Sequence, residues 1–238
     1  MKSISIVMAT YNGEKYIREQ IDSIVRQMKD SDELILTDDG STDNTFSIIK
    51  EYQKDKRIKL YRGPQKGFPK NFENGLKETT KDIILFSDQD DLWLPDKLDR
   101  IRQFFETNVD IWLVLHDMYL ANNDEIKEGT YCKKSFDMRK RKHGFLYNLF
   151  YNGYYGCCMG ITKEYKKYLL PFPISVIQHD QWISLVAEYF HRAAFIDSPL
   201  IIHRIHDKNC YAKRRITTRL YYRYHLIASF LRTVKRIK

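Results

Sequence analysis

The 238-residue chain has few of the features that mark several large protein classes. It has four cysteines, Cys132, Cys157, Cys158 and Cys210, and none forms a C-x-x-C pair. The missing spacing argues against a structural zinc site and a thioredoxin-like redox pair, so reduced thiols are expected. No run of eighteen consecutive apolar residues occurs, so no segment reads as a bilayer-spanning helix. The opening "MKSISIVMATYNG" has no long apolar leader and no small-residue cleavage site. The expected location is therefore the cytoplasm. Glycine-rich phosphate loops are also missing: no G-x-G-x-x-G follows the first apolar run, and no G-x-x-x-x-G-K-[ST] is present. Phosphates are then not cradled by a helix N-terminus as in dinucleotide enzymes or P-loop NTPases.

The chain does have enough apolar residues, 43%, to bury a full core, and its length suits one α/β domain with a decorated end. Its net charge of +9 is concentrated at one end. The segment Lys213 to Lys238 carries nine basic residues and no acid, and the rest of the chain is balanced. Within it Ile216, Leu220, Tyr224, Ile227, Leu231, Val234 and Ile237 recur at helical steps, which predicts a basic amphipathic helix. Two readings stand: a terminal helix packed on the domain, or a peripheral contact with an anionic membrane surface on the inner face of the cell membrane. No nucleic-acid recognition motif accompanies the charge, so nucleic acid is not an expected partner.

Along the chain, short apolar runs alternate with helical patterns. "ISIVMAT" (Ile4 to Thr10), "ELILT" (Glu33 to Thr37), "IKLY" (Ile58 to Tyr61), "DIILFS" (Asp82 to Ser87) and "IWLVLH" (Ile111 to His116) read as strands. Helical spacing follows each of the first four, with Ser41, Thr42 or Asp43 offered as the cap of the second helix. This alternation predicts a doubly wound, mainly parallel sheet with helices on both faces. In such sheets ligands bind beyond the carboxyl ends of the strands. Here those ends carry "TYNGE", "DDGSTD" and "SDQDD".

The last of these is the least ordinary. Asp88, Gln89, Asp90 and Asp91 follow a buried strand directly, although neighbouring carboxylates repel and are costly to bury. A divalent cation resolves the conflict, because Mg2+ or Mn2+ takes oxygen ligands and bridges phosphate oxygens. Without the cation, the cluster is expected to be repulsive and mobile.

Several stretches taken together resemble the family 2 glycosyltransferases: "SIVMATYNGEKYIREQIDSI", "LILTDDGSTDNT", "KGFPKNFENGL", "DIILFSDQDDLWLPDKL", "GCCMGITKEY", "QHDQW" and "HRIHDKN". The resemblance spans about residues 3 to 210, and "SDQDDLWLPDKL", "HDQW" and R-x-H-x-x-N look most like bacterial rhamnosyltransferase-type members. It implies the GT-A fold, a mixed but mainly parallel sheet, and an inverting enzyme using a nucleotide-sugar donor with Mn2+ or Mg2+. Residues 1–116 would form the nucleotide-sugar half, 117–212 the acceptor half and 213–238 the terminal helix.

The resemblance also implies residue roles. Thr10, Tyr11, Asn12 and Glu14 would line the nucleotide pocket, with Asp38 or Asp39 reading the base and Asn71 nearby. Asp88 and Gln89 would serve the ribose side, Asp90 and Asp91 the metal. Asp180 in "QHDQW" would be the general base, with the capping of its own helix as the structural alternative. Arg204 would face the leaving diphosphate, and His206 would ligate the cation or bind that diphosphate. Cys157 reads as a pocket wall, and about Asp117 to Phe150 as an acceptor-facing insertion or a solvated loop. The acceptor would be a saccharide or lipid-linked saccharide of bacterial surface polysaccharide synthesis, and the donor a UDP- or dTDP-sugar, with dTDP-rhamnose favoured. Two other classes share part of the pattern: a sugar nucleotidyltransferase, which would normally carry a Gly-rich loop at the first strand, and a non-catalytic carbohydrate-binding module, which would not need Asp180.

Overall fold

A computed structural model describes residues 1–121, 135–136, 143–174, 176–205 and 216–237. The first half is β1 (Ile4–Thr10), α1 (Ile17–Val25), β2 (Glu33–Asp38), α2 (Thr45–Tyr52), β3 (Ile58–Arg62), α3 (Phe68–Glu78) and β4 (Ile83–Ser87). β2 and β4 are buried along their whole length, which is why they read as continuous rather than alternating apolar runs. The helices are amphipathic and turn Ile17, Ile21 and Ile24, or Phe72 and Leu76, onto the sheet. Gly75 lets α3 lie close: a β-carbon there would stand 2.5 Å from Val7 Cγ1 on β1.

These four strands are parallel in the order β3-β2-β1-β4, with Thr10 opposite Asp38 and Met8 opposite Ser87. Their carboxyl ends therefore meet at one rim. The second half continues with β5 (Leu92–Trp93), α4 (Lys97–Thr107), β6 (Leu113–Ala121), β7 (Ser135–Phe136) and α5 (Phe145–Phe150). A single 3-10 turn (Gly156–Cys158) leads to β8 (Met159–Thr162), α6 (Lys163–Leu169), α7 (His179–Tyr189), β9 (Ala193–Arg204) and α8 (Ile216–Ile237). The full sheet runs β3-β2-β1-β4-β8-β6-β9-β5, with β7 on β6. β8 lies antiparallel to both of its neighbours, and β6 pairs with β9 in parallel. The sheet is thus mixed, and one sheet serves both halves of the chain.

Two apolar layers cover it. Phe72, Phe86, Trp112, Tyr165 and Trp182 pack on one face, and Ile6, Ile21, Leu34, Leu85 and Ile101 on the other. The stripe Leu226, Phe230 and Val234 of α8 joins the first layer, so this helix packs on the domain through its apolar side. Among the described residues no helix is long and apolar enough to cross a membrane.

Local boundaries differ from expectation in two places. α2 starts at Thr45, later than the caps expected at Ser41 to Asp43; Asn44 precedes it without a side-chain cap, while Asp43 accepts the Thr45 N–H at 2.9 Å. β6 continues past His116 to Ala121 because β9 pairs with it along its whole length. Of the insertion expected at about 117 to 150, residues 122–134 and 137–142 lie outside the described residues, as do Cys132, His206 and Cys210.

Candidate active site

The ends of β1 and β2 are knitted together by the side chains expected to meet a nucleotide. Asp38 is fully buried, and its carboxylate accepts the Thr10 hydroxyl at 3.1 Å, the Ser41 hydroxyl at 2.5 Å and the Ser41 N–H at 3.0 Å. Asp39 accepts the N–H groups of Gln65 at 2.6 Å and Gly67 at 2.8 Å, which ties β2 to the loop before α3. Asn71 donates to the Thr37 carbonyl at 2.7 Å and accepts the Thr37 hydroxyl at 2.8 Å. Asn12 holds a left-handed backbone (φ 49°), and its side-chain oxygen accepts the Thr42 N–H at 2.8 Å. Glu14 accepts the Asn44 N–H at 3.0 Å. Gln89 clasps Tyr11, accepting its N–H and donating to its carbonyl, each at 2.9 Å, and so joins the β4 end to the β1 end. Tyr11 itself is exposed.

The acidic run is tied to neighbouring strands at Gln89 and Asp91. Asp91 is buried and lies 2.7 Å from His203 Nδ1 on β9; its second oxygen has no hydrogen-bond partner among the described residues. Asp88, Asp91, Cys157 and His203 present ligand atoms all within 4.8 Å of one another. Burial, with Asp91 and Asp90 alongside, pushes the Asp88 carboxyl up to about 8. Burial works against a charged His203, but contact with Asp91 and the fields of Asp88 and Asp90 prevail and raise it to about 10. The expected repulsion is therefore answered inside the protein for Asp91, by an imidazolium that the sequence reading passed over.

A second buried cation lies behind this cluster. Lys97, at the start of α4, donates to the Cys157 carbonyl at 3.1 Å and sits 3.8 Å from the centre of the Trp93 ring. Burial lowers it to about 8. By anchoring the 3-10 turn, it sets the side of the cluster that Cys157 forms.

The residues fit a divalent cation through their carboxylates. Asp88 and Asp91 converge, and the Asp91 oxygen without a hydrogen-bond partner among the described residues is free to coordinate a cation. Cys157 is a poor ligand, because its hydrogen bond with Cys158 and its burial hold the thiol well above its ordinary range. His203 Nδ1 is already engaged by Asp91. Of the three metal ligands expected from sequence, Asp91 is in this group and Asp90 is not among its four members, while His206 lies outside the described residues.

Asp180 approaches from the other side of the 3-10 turn. It is the second residue of α7, after His179, and Gln178 precedes the helix without a side-chain cap. The Asp180 carboxylate accepts the Gln181 N–H at 2.8 Å, and the Asn152 amide and the Gly156 N–H also bond to it. Asn152 is oriented in turn, because its side-chain oxygen accepts the Tyr154 N–H at 3.1 Å. Burial outweighs these bonds and pushes Asp180 up to about 6. Its charge also contributes to the raised Asp88, so the two carboxyls belong to one electrostatic site. A carboxyl balanced near neutrality suits a general base.

Two buried basic side chains lie nearby, and Arg204, expected to face the diphosphate, is held by a carboxylate of the protein. His179 is buried, stacks on Phe72 at 4.1 Å between centroids, and neither ring nitrogen finds a hydrogen-bond partner among the described residues. Burial drops it to about 3, which leaves a neutral ring. Only glycine fits opposite: a β-carbon at Gly156 would meet His179 Nε2 at 2.3 Å. Arg204 is buried, donates to Glu19 on α1 and lies over the Tyr16 ring. Sequence reasoning missed His203, Lys97 and Asn152; the apolar "IIHR" around His203 was the one local signal, a basic group at the end of a buried strand.

Comparison with known proteins gives a consistent picture. The family described as Glycosyl transferase family 2 matches residues 5–169. An uncharacterized glycosyltransferase of Methanocaldococcus jannaschii is 31% identical over 239 residues, covering 94% of this chain and 78% of that one. The dTDP-rhamnosyl transferase RfbG of Shigella flexneri is 30% identical over 218 residues, covering 85% and 72%. Other curated relatives are longer: the chain spans 38% of an uncharacterized glycosyltransferase of Nostoc, to which it is 32% identical over 125 residues. Among solved structures, S. aureus TarS 1-349 in complex with UDP has a TM-score of 0.69 at 21% identity, covering 96% of this chain and 65% of that one. The mannosyltransferase PcManGT from Pyrobaculum calidifontis, in complex with GDP-Man and Mn2+, has a TM-score of 0.63 at 19% identity, covering 87% and 58%. These likenesses establish the GT-A fold.

Proposed function

The chain belongs to glycosyl transferase family 2, and we propose that it is an inverting, metal-assisted enzyme that moves a sugar from a nucleoside-diphosphate donor to a saccharide or lipid-linked saccharide of a bacterial surface polysaccharide. The observation that carries this reading is the pairing of a near-neutral carboxyl, Asp180, with the acidic pair Asp88 and Asp91 across the Gly156–Cys158 turn. A donor is proposed to lie with its base over Thr10 to Asn12 and Asp39 and its diphosphate toward Asp88 to Asp91. A bound divalent cation would supply charge neutralisation of the departing diphosphate, held by Asp88 and Asp91 with Asp90 adjacent.

The chain's own residues then divide the remaining work. Asp180 takes the proton from the acceptor hydroxyl as it attacks the anomeric carbon, a contribution of about 10²- to 10⁴-fold. Asn152 and the Gln181 and Gly156 N–H groups fix the direction of that carboxylate. Lys97 holds the Cys157 carbonyl and His203 holds Asp91, so α4 and β9 fix the acidic cluster from behind. Inversion needs no covalent intermediate, which agrees with a Cys157 kept as a thiol.

A UDP- or dTDP-sugar is the proposed donor. The name of the Shigella flexneri relative favours dTDP-rhamnose, and the TarS complex favours a uridine nucleotide. The deciding experiment is a panel of nucleotide-sugars with Mn2+ or with chelator, monitored for released nucleoside diphosphate beside Asp180→Asn. Metal-dependent release that the substitution abolishes is expected. Pyrophosphate formed instead from a nucleoside triphosphate and a sugar 1-phosphate, with no diphosphate released from the nucleotide-sugars, would make the protein a sugar nucleotidyltransferase, and none of these activities, with no donor bound, would leave a carbohydrate-binding module.

A further inference from the structure

The sequence offered two uses for the basic C-terminal helix, and the structure commits Leu226, Phe230 and Val234 to the domain, while Tyr224 and Leu231 of the expected apolar stripe are exposed. What remains on its outer side is Tyr221, Tyr224 and Leu231, each more than half exposed, with Arg232, Lys235 and Arg236 exposed beside them. A second helix adds to this surface. Phe145 of α5 packs on Phe230 at 5.1 Å, and Arg223 donates to the Phe150 carbonyl at 2.6 Å, so the two helices share a rim. On α5 and just after it, Leu146, Phe150 and Tyr151 are again more than half exposed.

Charge selects the occupant. The sequence has no Asp or Glu between residues 138 and 163, and none after Asp207, so both contributors to the rim are free of acids. Large exposed rings and exposed cations on two helices that themselves carry no acid match the headgroup level of an anionic bilayer, where rings sit at the boundary and cations meet lipid charge. A second copy of the chain would set like charge against like. We propose that the outer faces of α5 and α8 form a docking surface for anionic lipid.

The contact differs from that of a free amphipathic helix. Leu226, Phe230 and Val234 are already committed to the domain, so only protruding side chains enter the interface, and binding is shallow, reversible and weakened by salt. The surface also has a direction. Tyr151 immediately precedes Asn152, whose amide holds Asp180, so lipid contact would bring the acceptor side of the site to the membrane. That last clause rests on the proposed function; the docking itself does not.

The test uses the full chain with sedimented vesicles of phosphatidylcholine, with and without phosphatidylglycerol, at low and high salt and with no sugar donor present. Binding to the anionic vesicles alone, lost at high salt, is expected. The variant Arg232→Glu/Lys235→Glu/Arg236→Glu should lose at least about tenfold in affinity. The variant Phe150→Ser/Tyr224→Ser/Leu231→Ser should bind several-fold more weakly while keeping its salt dependence, and thermal melts of both should show that they fold. Equal binding to the two kinds of vesicle, no binding to either, or undiminished binding by the folded variants would overturn the proposal. So would self-association that the apolar variant abolishes, which would give the face to a second copy of the chain.

Discussion

His203 Nδ1 and Asp91 Oδ1 meet at 2.7 Å although 112 residues separate them, and both side chains are buried. The pair fixes the end of β9 against the loop after β4, and it brings a positive charge to the acidic run. His203→Ala would strand a buried carboxylate, and a loss of about 3–5 kcal/mol in chemical denaturation is expected. Asp91→Asn combined with His203→Ala should cost less than the sum of the single changes. Because the folded imidazole is raised from an ordinary 6.5 to about 10, its contribution is fully present below pH 6.5 and is lost as pH rises toward 10. Stability measured across that window should fall in the wild type more than in His203→Ala.

Metal affinity should follow Asp88. Its carboxyl is held up to about 8 when no cation is bound, so binding at neutral pH must displace a proton. Calorimetric titration with Mn2+ in two buffers of different ionisation enthalpy should report about one proton released, with affinity falling roughly tenfold per pH unit below 8. Proton release that vanishes in Asp88→Asn would assign it to this residue. Unchanged release in that variant would place the proton elsewhere.

The acid limb of the turnover profile should lie near pH 6, where Asp180 ionises. Asn152→Ala removes a hydrogen bond that favours the charged carboxylate, so the limb should move to higher pH and kcat at neutral pH should fall several-fold. A loss of kcat with an unmoved limb would show that Asn152 contributes only to the local fold. Asp180→Asn should reduce kcat by at least about 10²-fold at every pH.

His179 should prove costly to stability. An imidazole in an aromatic box whose two nitrogens have no partner among the described residues gives up hydrogen bonds to water without replacing them, so His179→Phe should raise stability by about 1 kcal/mol. The sign with pH is opposite to that of His203. Because the folded ring is lowered from 6.5 to about 3, the wild type loses stability as pH falls through that window. The phenylalanine variant should be spared that loss.

How much of this could be read from the sequence depended on the range of the interaction. β1, β2 and β4 were legible because both of their faces are buried and their apolar runs are continuous. The shared rim followed from parallel alternation alone. Asp180 and the acidic run were legible through family resemblance and local spacing. The Asp91–His203 pair, the Lys97 bond to Cys157 and the Asn152 bond to Asp180 span 112, 60 and 28 residues, and no periodicity encodes such distances. Arg204 illustrates the same limit from the other side. Its type and position suited a diphosphate, but its partner Glu19 is on the first helix.

The reversed strand β8 gives the two nominal halves of the chain a dependence that their order in sequence hides. β4 ends the parallel set, and its free edge is closed only when Met159–Thr162 is laid beside it from the far half. A fragment stopping near residue 116 would contain every residue expected to line the nucleotide pocket, Thr10 to Asp91, yet expose an apolar, fully buried strand as an open template for other chains. Exchange of acceptor halves between relatives therefore requires the incoming piece to bring a fitting strand as well as a new pocket. Such chimaeras should succeed or aggregate according to how residues 83–85 and 160–162 match.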